Sequence, residues 1–135
     1  MASAYKIVWK NHCTPQEKVN FSSGSRWYLD SDCGKKMTGS YTTTITTDRD
    51  YTSNLAVTDS ASATLNDEND DIFLYIKNTG GGSGDDVFIS LEASQYAIRL
   101  SSGESFASHI LGSATVKVVC DSGEDSTIEY FTGAT

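Results

Sequence analysis

The sequence predicts an all-β fold, a sandwich or barrel of short antiparallel strands, on three observations. Runs of β-branched and aromatic residues recur roughly every 8–12 residues. Polar clusters rich in Gly, Ser, Asn and Asp separate those runs. Good helix formers are scarce, and neither a long 3.6-residue periodicity nor a fixed-period repeat interrupts the pattern. At 135 residues the chain is one domain's worth. A chain of that size buries roughly two-thirds of its unfolded surface, so it needs no metal or disulfide to fold.

Taken in order, "AYKIVWK" alternates, with Tyr5, Ile7 and Trp9 on one face and Lys6, Val8 and Lys10 on the other. It reads as a half-buried strand or as an arm that pairs elsewhere. The expected organisation is thus an N-terminal arm or first strand over residues 1–12, then a single β-sandwich domain over 13–135. "RWYLD" (Arg26–Asp30) reads as a short strand. "SYTTTITT" (Ser40–Thr47) has strand propensity but is polar on both faces, which suits an edge strand or an exposed ribbon. From Asp48 to Asp71 the Ser/Thr/Asn/Asp content predicts long loops around one weak strand, Asn54–Val57, ending in the acidic cluster "NDENDD".

The rhythm tightens beyond Asp71. "IFLYIK" (Ile72–Lys77) is apolar on both faces and predicts a central strand. Val87, Ile89 and Leu91 share one face of the next run. Tyr96, Ile98 and Leu100 point inward with Arg99 outward, Val116, Val118 and Cys120 share a face, and Ile128 and Tyr130 close the series. "SFASHIL" is less regular. Between the first two runs lies "GGGSG", whose glycines permit the positive φ angles of a hairpin connection. Being longer than a two-residue turn, this loop is expected to project into solvent or onto a partner.

Charge is unevenly placed. Residues 1–36 carry six Lys/Arg against Glu17, Asp30 and Asp32, a balance of +3, and the remaining four cations and fifteen carboxylates leave −11. So acidic a surface repels phosphate backbones and argues against nucleic acid as a partner. It suits contacts in which a basic segment meets an acidic face. No run approaches the ~18 apolar residues of a membrane helix. The start lacks the apolar block of a signal peptide, so the chain is expected to stay in the compartment where it is made. Cys13, Cys33 and Cys120 are odd in number, irregularly spaced and without a CxxC, and are expected as free thiols.

Reactive constellations fail on detail. A phosphate loop needs Lys and Ser/Thr after its last glycine, but Asp85 and Asp86 follow Gly84; Asp85 also replaces the final glycine of both a dinucleotide fingerprint and a G-x-S-x-G elbow. The calcium-loop spacing of Asp48–Asp59 has Ser53 where glycine is required and Asp59 in place of the bidentate Glu. The acidic loop Asp67–Asp71 offers four carboxylates and reads as a solvated loop or a Ca²⁺ seam. His12 and the three cysteines lack paired zinc spacing. Trp9, Trp27, Tyr28 and Tyr41 could form a sugar platform or serve in core and interface, and carboxylate pairs for glycan hydrolysis are not decided by sequence. No catalytic residue, metal ligand or cofactor is assigned.

One stretch is family-like. Ile76–Gly80 ("IKNTG"), Val87–Leu91, Tyr96–Phe106 with its "GESF", and Thr115–Phe131 ending in "IEYF" resemble the small β-domains of tailed-bacteriophage virion proteins, over residues 71–133. The "GESF" element is also similar to jelly-roll and cupin-like sandwiches, although the cupin metal histidines have no counterparts here. The resemblance implies an all-β, jelly-roll-like β-sandwich of short antiparallel strands with an N-terminal arm. It implies a non-enzymatic virion component, most simply a capsid decoration or cement protein, or a neck or tail part, assembled in the host cytoplasm. Its partners would be the major capsid protein or other virion proteins and further copies of itself, with a trimer as the guess, and neither nucleic acid nor membrane. The alternative is a carbohydrate- or receptor-binding module of a fibre or tail. Interface candidates are Tyr5, Lys6, Ile7, Trp9 and Lys10 on the basic arm and Tyr41, Thr43 and Ile45 on the Thr-rich ribbon. An arm of this kind can add to an exposed sheet edge through main-chain hydrogen bonds.

Overall fold

The apolar alternation that begins at Ile72 belongs to a two-layered roll. The structure, a computed structural model, describes residues 5–45, 47–60, 63–66, 70–92 and 95–135. Its strands are β1 (Tyr5–Cys13), β2 (Gln16–Phe21), β3 (Gly24–Leu29), β4 (Met37–Ile45), β5 (Thr47–Thr58), β6 (Ala63–Asn66), β7 (Ile72–Asn78), β8 (Val87–Ser90), β9 (Tyr96–Leu100), β10 (Ser105–Ile110), β11 (Val116–Cys120) and β12 (Asp125–Ala134). The chain divides into two compact units, Lys6–Thr43 and Thr44–Thr135, the latter with Tyr5. We call them the ribbon unit and the roll.

The roll is a jelly roll. Its two four-stranded sheets run β10-β7-β12-β5 and β6-β11-β8-β9. First pairs with last (β5 with β12), second with seventh (β6 with β11), third with sixth (β7 with β10) and fourth with fifth (β8 with β9), all antiparallel. These four pairs are one long hairpin whose successive rungs fall on alternate sheets. Wrapping it creates the two remaining contacts, β7 with β12 and β8 with β11. This winding is the double-sheet jelly roll.

The core lies between the sheets. Leu74 and Ile76 on β7, Ile128 on β12, Val87 and Ile89 on β8 and Val116 and Val118 on β11 are wholly buried. They occupy alternate positions, so each strand sends one face inward. Burying an aliphatic side chain of this size stabilises by about 1.5–3 kcal/mol, which makes this layer the main source of the fold's stability. β7 lies inside its sheet, between β10 and β12, as a run apolar on both faces should.

Two readings are corrected. The "GGGSG" loop does not project freely, because it is tied down along its length. Gly81 donates its N–H to Thr127 Oγ1 (3.0 Å), Ser83 its N–H to Asp125 Oδ1 (2.7 Å) and Asp85 its N–H to the Asp125 carbonyl (3.1 Å). Gly80 has φ 76°, and a Cβ there would collide with Ser102, so close approach as well as turn geometry requires glycine. The loop hangs from Asn78, 0% exposed, whose amide donates to the carbonyls of Asp85 and Leu100 (2.9 Å each). The Asn78 Oδ1 accepts from the Gly80 N–H (3.0 Å) and the Ser126 hydroxyl (2.7 Å). A buried amide satisfied on both ends fixes one loop geometry.

The second correction concerns the polar stretch after Asp48, where β5 runs unbroken from Thr47 to Thr58. Pairing along β12 supplies what the local sequence lacks. Val57, at 1% exposed, and the partly buried Leu55 pack toward the core. Thr52 and Asp50 stand opposite the buried Tyr130 and Thr132, with the Tyr130 hydroxyl donating to Asp50 Oδ2 (2.7 Å), and Tyr51 faces outward on this edge strand.

The ribbon unit is built differently. β1 pairs with β4, and β2 with β3, as separate two-stranded sheets. The hairpin β2–β3 closes over Ser22–Ser23, with Phe21 opposite Gly24 at φ 139°. β2 carries no signal strong enough to be foreseen. Not one residue from Lys6 to Thr43 is buried.

Candidate assembly surfaces

Alternation gives each ribbon strand two faces, and in this unit neither carries a buried residue. In the hairpin, Lys18 stands opposite Trp27 and Gln16 opposite Leu29 on one face. Glu17 opposite Tyr28, and Val19 opposite Arg26, occupy the other, where the Phe21 and Tyr28 rings meet edge to face at 6.3 Å between centroids. The face of Trp27 is the more open, and Trp27 itself is 63% exposed. In the β1–β4 sheet the Trp9 and Tyr41 rings meet edge to face at 6.5 Å. Among the described residues, the large apolar side chains left exposed are Val8, Phe21, Trp27, Tyr28, Leu29 and Met37 in the ribbon unit, against Tyr5, Tyr51 and Leu111 in the roll.

The interface candidates fall in three places. Ile7, Trp9, Tyr41 and Thr43 are half-buried and Lys6 and Lys10 exposed, all on β1 and β4, so the basic arm and the Thr-rich ribbon pair with each other. Tyr5 lies under the Arg49 guanidinium, 3.8 Å from ring centroid to charge. Ile45, 1% exposed, packs where a Cβ on Gly133 would come within 2.8 Å of it, so it serves the roll's packing and is closed to a partner. Exposed Leu29 and Phe21 were not singled out as contact residues, and Trp27 was weighed only among the platform or interface aromatics. A strand with apolar side chains on both faces and no apolar segment nearby to cover them was the available signal. The four aromatics considered as a sugar platform do not form one: Trp9 and Tyr41 sit on one sheet, and Trp27 and Tyr28 point to opposite faces of another.

All nine charged side chains of the N-terminal third lie in the ribbon unit, giving it the +3 balance, and the roll carries the −11. One end of the roll concentrates that negative charge. The β7–β8 loop and the β11–β12 turn are laced together, with the Asp125 N–H donating to Asp85 Oδ2 (3.1 Å) and the Gly123 N–H to Asp59 Oδ2 (2.6 Å). Desolvation and the nearby Asp85, Asp121 and Asp86 push the Glu124 carboxyl above its ordinary range. Asp125 moves the other way, held low by the hydrogen bonds it accepts from Ser83.

Two further surfaces belong to the roll. A cleft of about 410 Å³ opens beside the edge strand β10, between Leu91, Phe106, Ile110, Leu111 and Ala114, with Glu92 at its rim. Leu111 is 68% exposed there. On the outer face of the β10-β7-β12-β5 sheet, Tyr75, Phe131 and Tyr51 stand in register across three neighbouring strands. Tyr51, 58% exposed, donates its hydroxyl to Glu129 (2.9 Å), and this bond, ahead of desolvation and charge repulsion, raises the Tyr51 pKa.

Reactive side chains are dispersed. His12 Nε2 shares a hydrogen bond with the Thr14 hydroxyl (2.9 Å) and His109 Nε2 with that of Thr135 (2.8 Å). Cys13, Cys33 and Cys120 are free thiols. Burial, reinforced by Asp85 and its neighbouring carboxylates, pushes the Cys120 thiol up to about 11, which suppresses the thiolate needed for nucleophilic or metal chemistry. Among the described residues no three His, Cys, Asp or Glu side chains are placed to share a metal ion, and no helix is long and apolar enough to cross a membrane. The calcium-like spacing of Asp48–Asp59 lies along β5, which extended pairing prevents from folding around an ion. Most of the acidic loop Asp67–Asp71 lies outside the described residues; within it Asp71 Oδ1 accepts the Gly112 N–H (2.7 Å). Comparison with protein-family models, curated proteins and solved structures found no match.

Proposed function

We propose that this chain is a non-enzymatic structural protein of a tailed-phage virion, a capsid decoration or cement protein that binds the major capsid protein and stabilises the head as a homo-oligomer. Jelly rolls serve viral capsids and lectins alike, so the fold alone does not choose between roles. The observation that carries the reading is the ribbon unit, in which no residue from Lys6 to Thr43 is buried. Two-stranded sheets are marginal in water, and below ~40 residues a segment seldom supports itself. Exposed apolar side chains gathered on such an element mark a surface for another protein. Attachment is assigned to the β1–β4 sheet, which carries the Trp9–Tyr41 pair on one face and Lys6 and Lys10 on the other.

Cosedimentation with shells assembled from the virion's major capsid protein tests this. The full chain should occupy the shells saturably and raise the temperature at which they rupture. The triple variant Lys6→Glu, Trp9→Ala, Lys10→Glu should bind at least tenfold more weakly while keeping the roll's melting temperature. Bare shells with the unaltered chain would overturn the proposal. A carbohydrate- or receptor-binding module is the second reading, favoured by the in-register row Tyr75, Phe131 and Tyr51. Saturable glycan binding lost in Tyr51→Ala would select it.

A further inference from the structure

Resting on the assembly reading above, we infer that the open face of the β2–β3 hairpin docks into the β10-edge cleft of a second copy of this chain, with Trp27 as the anchor. The ribbon presents a cationic, aromatic face. Lys18, Trp27 and Leu29 share it through the cross-strand pairs Lys18–Trp27 and Gln16–Leu29, and no carboxylate interrupts it. Trp27 is 63% exposed. Tryptophan is the side chain most often found as the anchor of a protein interface, inserted into an apolar pocket and ringed by polar contacts.

The roll presents the matching half. The cleft of about 410 Å³ has apolar walls from Leu91, Phe106, Ile110, Leu111 and Ala114 and a carboxylate, Glu92, at its mouth. It opens at the edge of the sandwich, where inward-facing Phe106 and Ser108 of edge strand β10 are only half-buried. Leu91 and Ala114 are held beside each other by the bond from the Thr115 N–H to the Leu91 carbonyl (3.2 Å), so the cleft is preformed. Trp27 fills the apolar part and Lys18 meets Glu92.

Charge selects the second copy as occupant. The ribbon unit carries +3 and the roll −11, so each chain bears both halves of an attractive pair at equal concentration. Opposite fields steer the ribbon of one copy toward the roll of the next and keep roll from roll. Such a contact joins two different surfaces, so it propagates head to tail and closes into a ring when the rotation permits.

The test uses the full chain. In a Cys13→Ser, Cys33→Ser background, tagged Ser25→Cys places a thiol on the open hairpin face, and untagged Ser113→Cys places one beside the cleft; both substitutions leave Trp27 and Leu111 in place. Mixed and treated with a short bismaleimide, the two chains should form a tagged–untagged dimer at least tenfold above either like–like dimer. Adding Trp27→Ala, or Glu92→Lys on the partner, should reduce that product at least tenfold, and combining Lys18→Glu with Glu92→Lys should restore it. A thermal melt of each variant confirms that the roll stays folded. Equal yields of the three dimers, a yield indifferent to Trp27, or a monomeric mass at every concentration would overturn the inference. A chain that stays monomeric yet occupies shells overturns this contact alone. Association through Trp27 with bare shells upholds it and removes the virion role.

Discussion

The ribbon unit and the roll are made of the same material, short antiparallel strands rich in Thr, Val and aromatic residues, and differ in what their inward faces meet. In the roll, each rung of the folded hairpin turns its apolar face toward the opposite sheet, and Leu74, Ile76, Ile89 and Ile128 disappear from solvent. In the ribbon unit the two sheets have two strands each, and the edge-to-face aromatic pairs, Trp9–Tyr41 half-buried and Phe21–Tyr28 exposed, include no buried residue. Strand propensity is therefore not what separates a stable domain from a docking element. The difference is a second layer. The roll contains its own, and the ribbon unit has none of its own, which is what the proposed assembly role would supply.

Substitutions at matched positions sharpen this contrast. Leu74→Ala empties a wholly buried position and should lower stability by about 3–4 kcal/mol in urea unfolding. Asn78→Ala leaves buried carbonyls and a hydroxyl without their partner and should cost about 2–3 kcal/mol by the same assay. Trp27→Ala removes a larger side chain yet should shift stability by less than ~0.5 kcal/mol, because its surface is already in water. A Trp27→Ala loss comparable to that of Leu74→Ala would break the contrast.

Thiol chemistry draws the same boundary on a smaller scale. Cys13 is exposed and Cys33 half-exposed in the ribbon unit, whereas Cys120 is buried in the roll with its thiol pushed up to about 11 and directed at the Val57 carbonyl (3.5 Å). At pH 8 an aromatic disulfide reagent should titrate two thiols of the native chain within minutes and the third only after denaturant is added. Prompt reaction of all three would place Cys120 outside a packed core.

Much of the roll was legible. Alternation from Val87 onward, less regular only over Ser105–Leu111, marks strands whose inner and outer faces differ, and Ile72–Lys77, apolar on both faces, marks an interior strand. The winding was not readable from those runs, since which strand pairs with which is decided by contacts between residues far apart in sequence. β5 was hidden because polar residues, Asp50 and Thr52 on its inward face and Ser53 and Asn54 at a register shift, interrupt its apolar alternation, and its pairing with β12 holds it extended. The "GGGSG" loop was misjudged for a similar reason: Asn78, unremarkable in sequence, anchors it from beneath. Of the candidate surface, Trp9 and Tyr41 were legible as strand aromatics. Ile45 was not distinguishable from its neighbours, because its burial depends on the bare backbone of Gly133. The openness of Trp27 followed from a missing second layer, which no local pattern reports.

Native-state hydrogen exchange on the dilute chain tests the division most directly, since protection measures the stability of each segment in place. Amides of β7, β11 and β12 should exchange only through global unfolding, and those of β1 to β3 at least a hundredfold faster, slowing when the protein is concentrated enough to associate. Ribbon amides protected as strongly as those of β7 at high dilution would contradict the account, because a segment with no buried residue would then be stable without a partner.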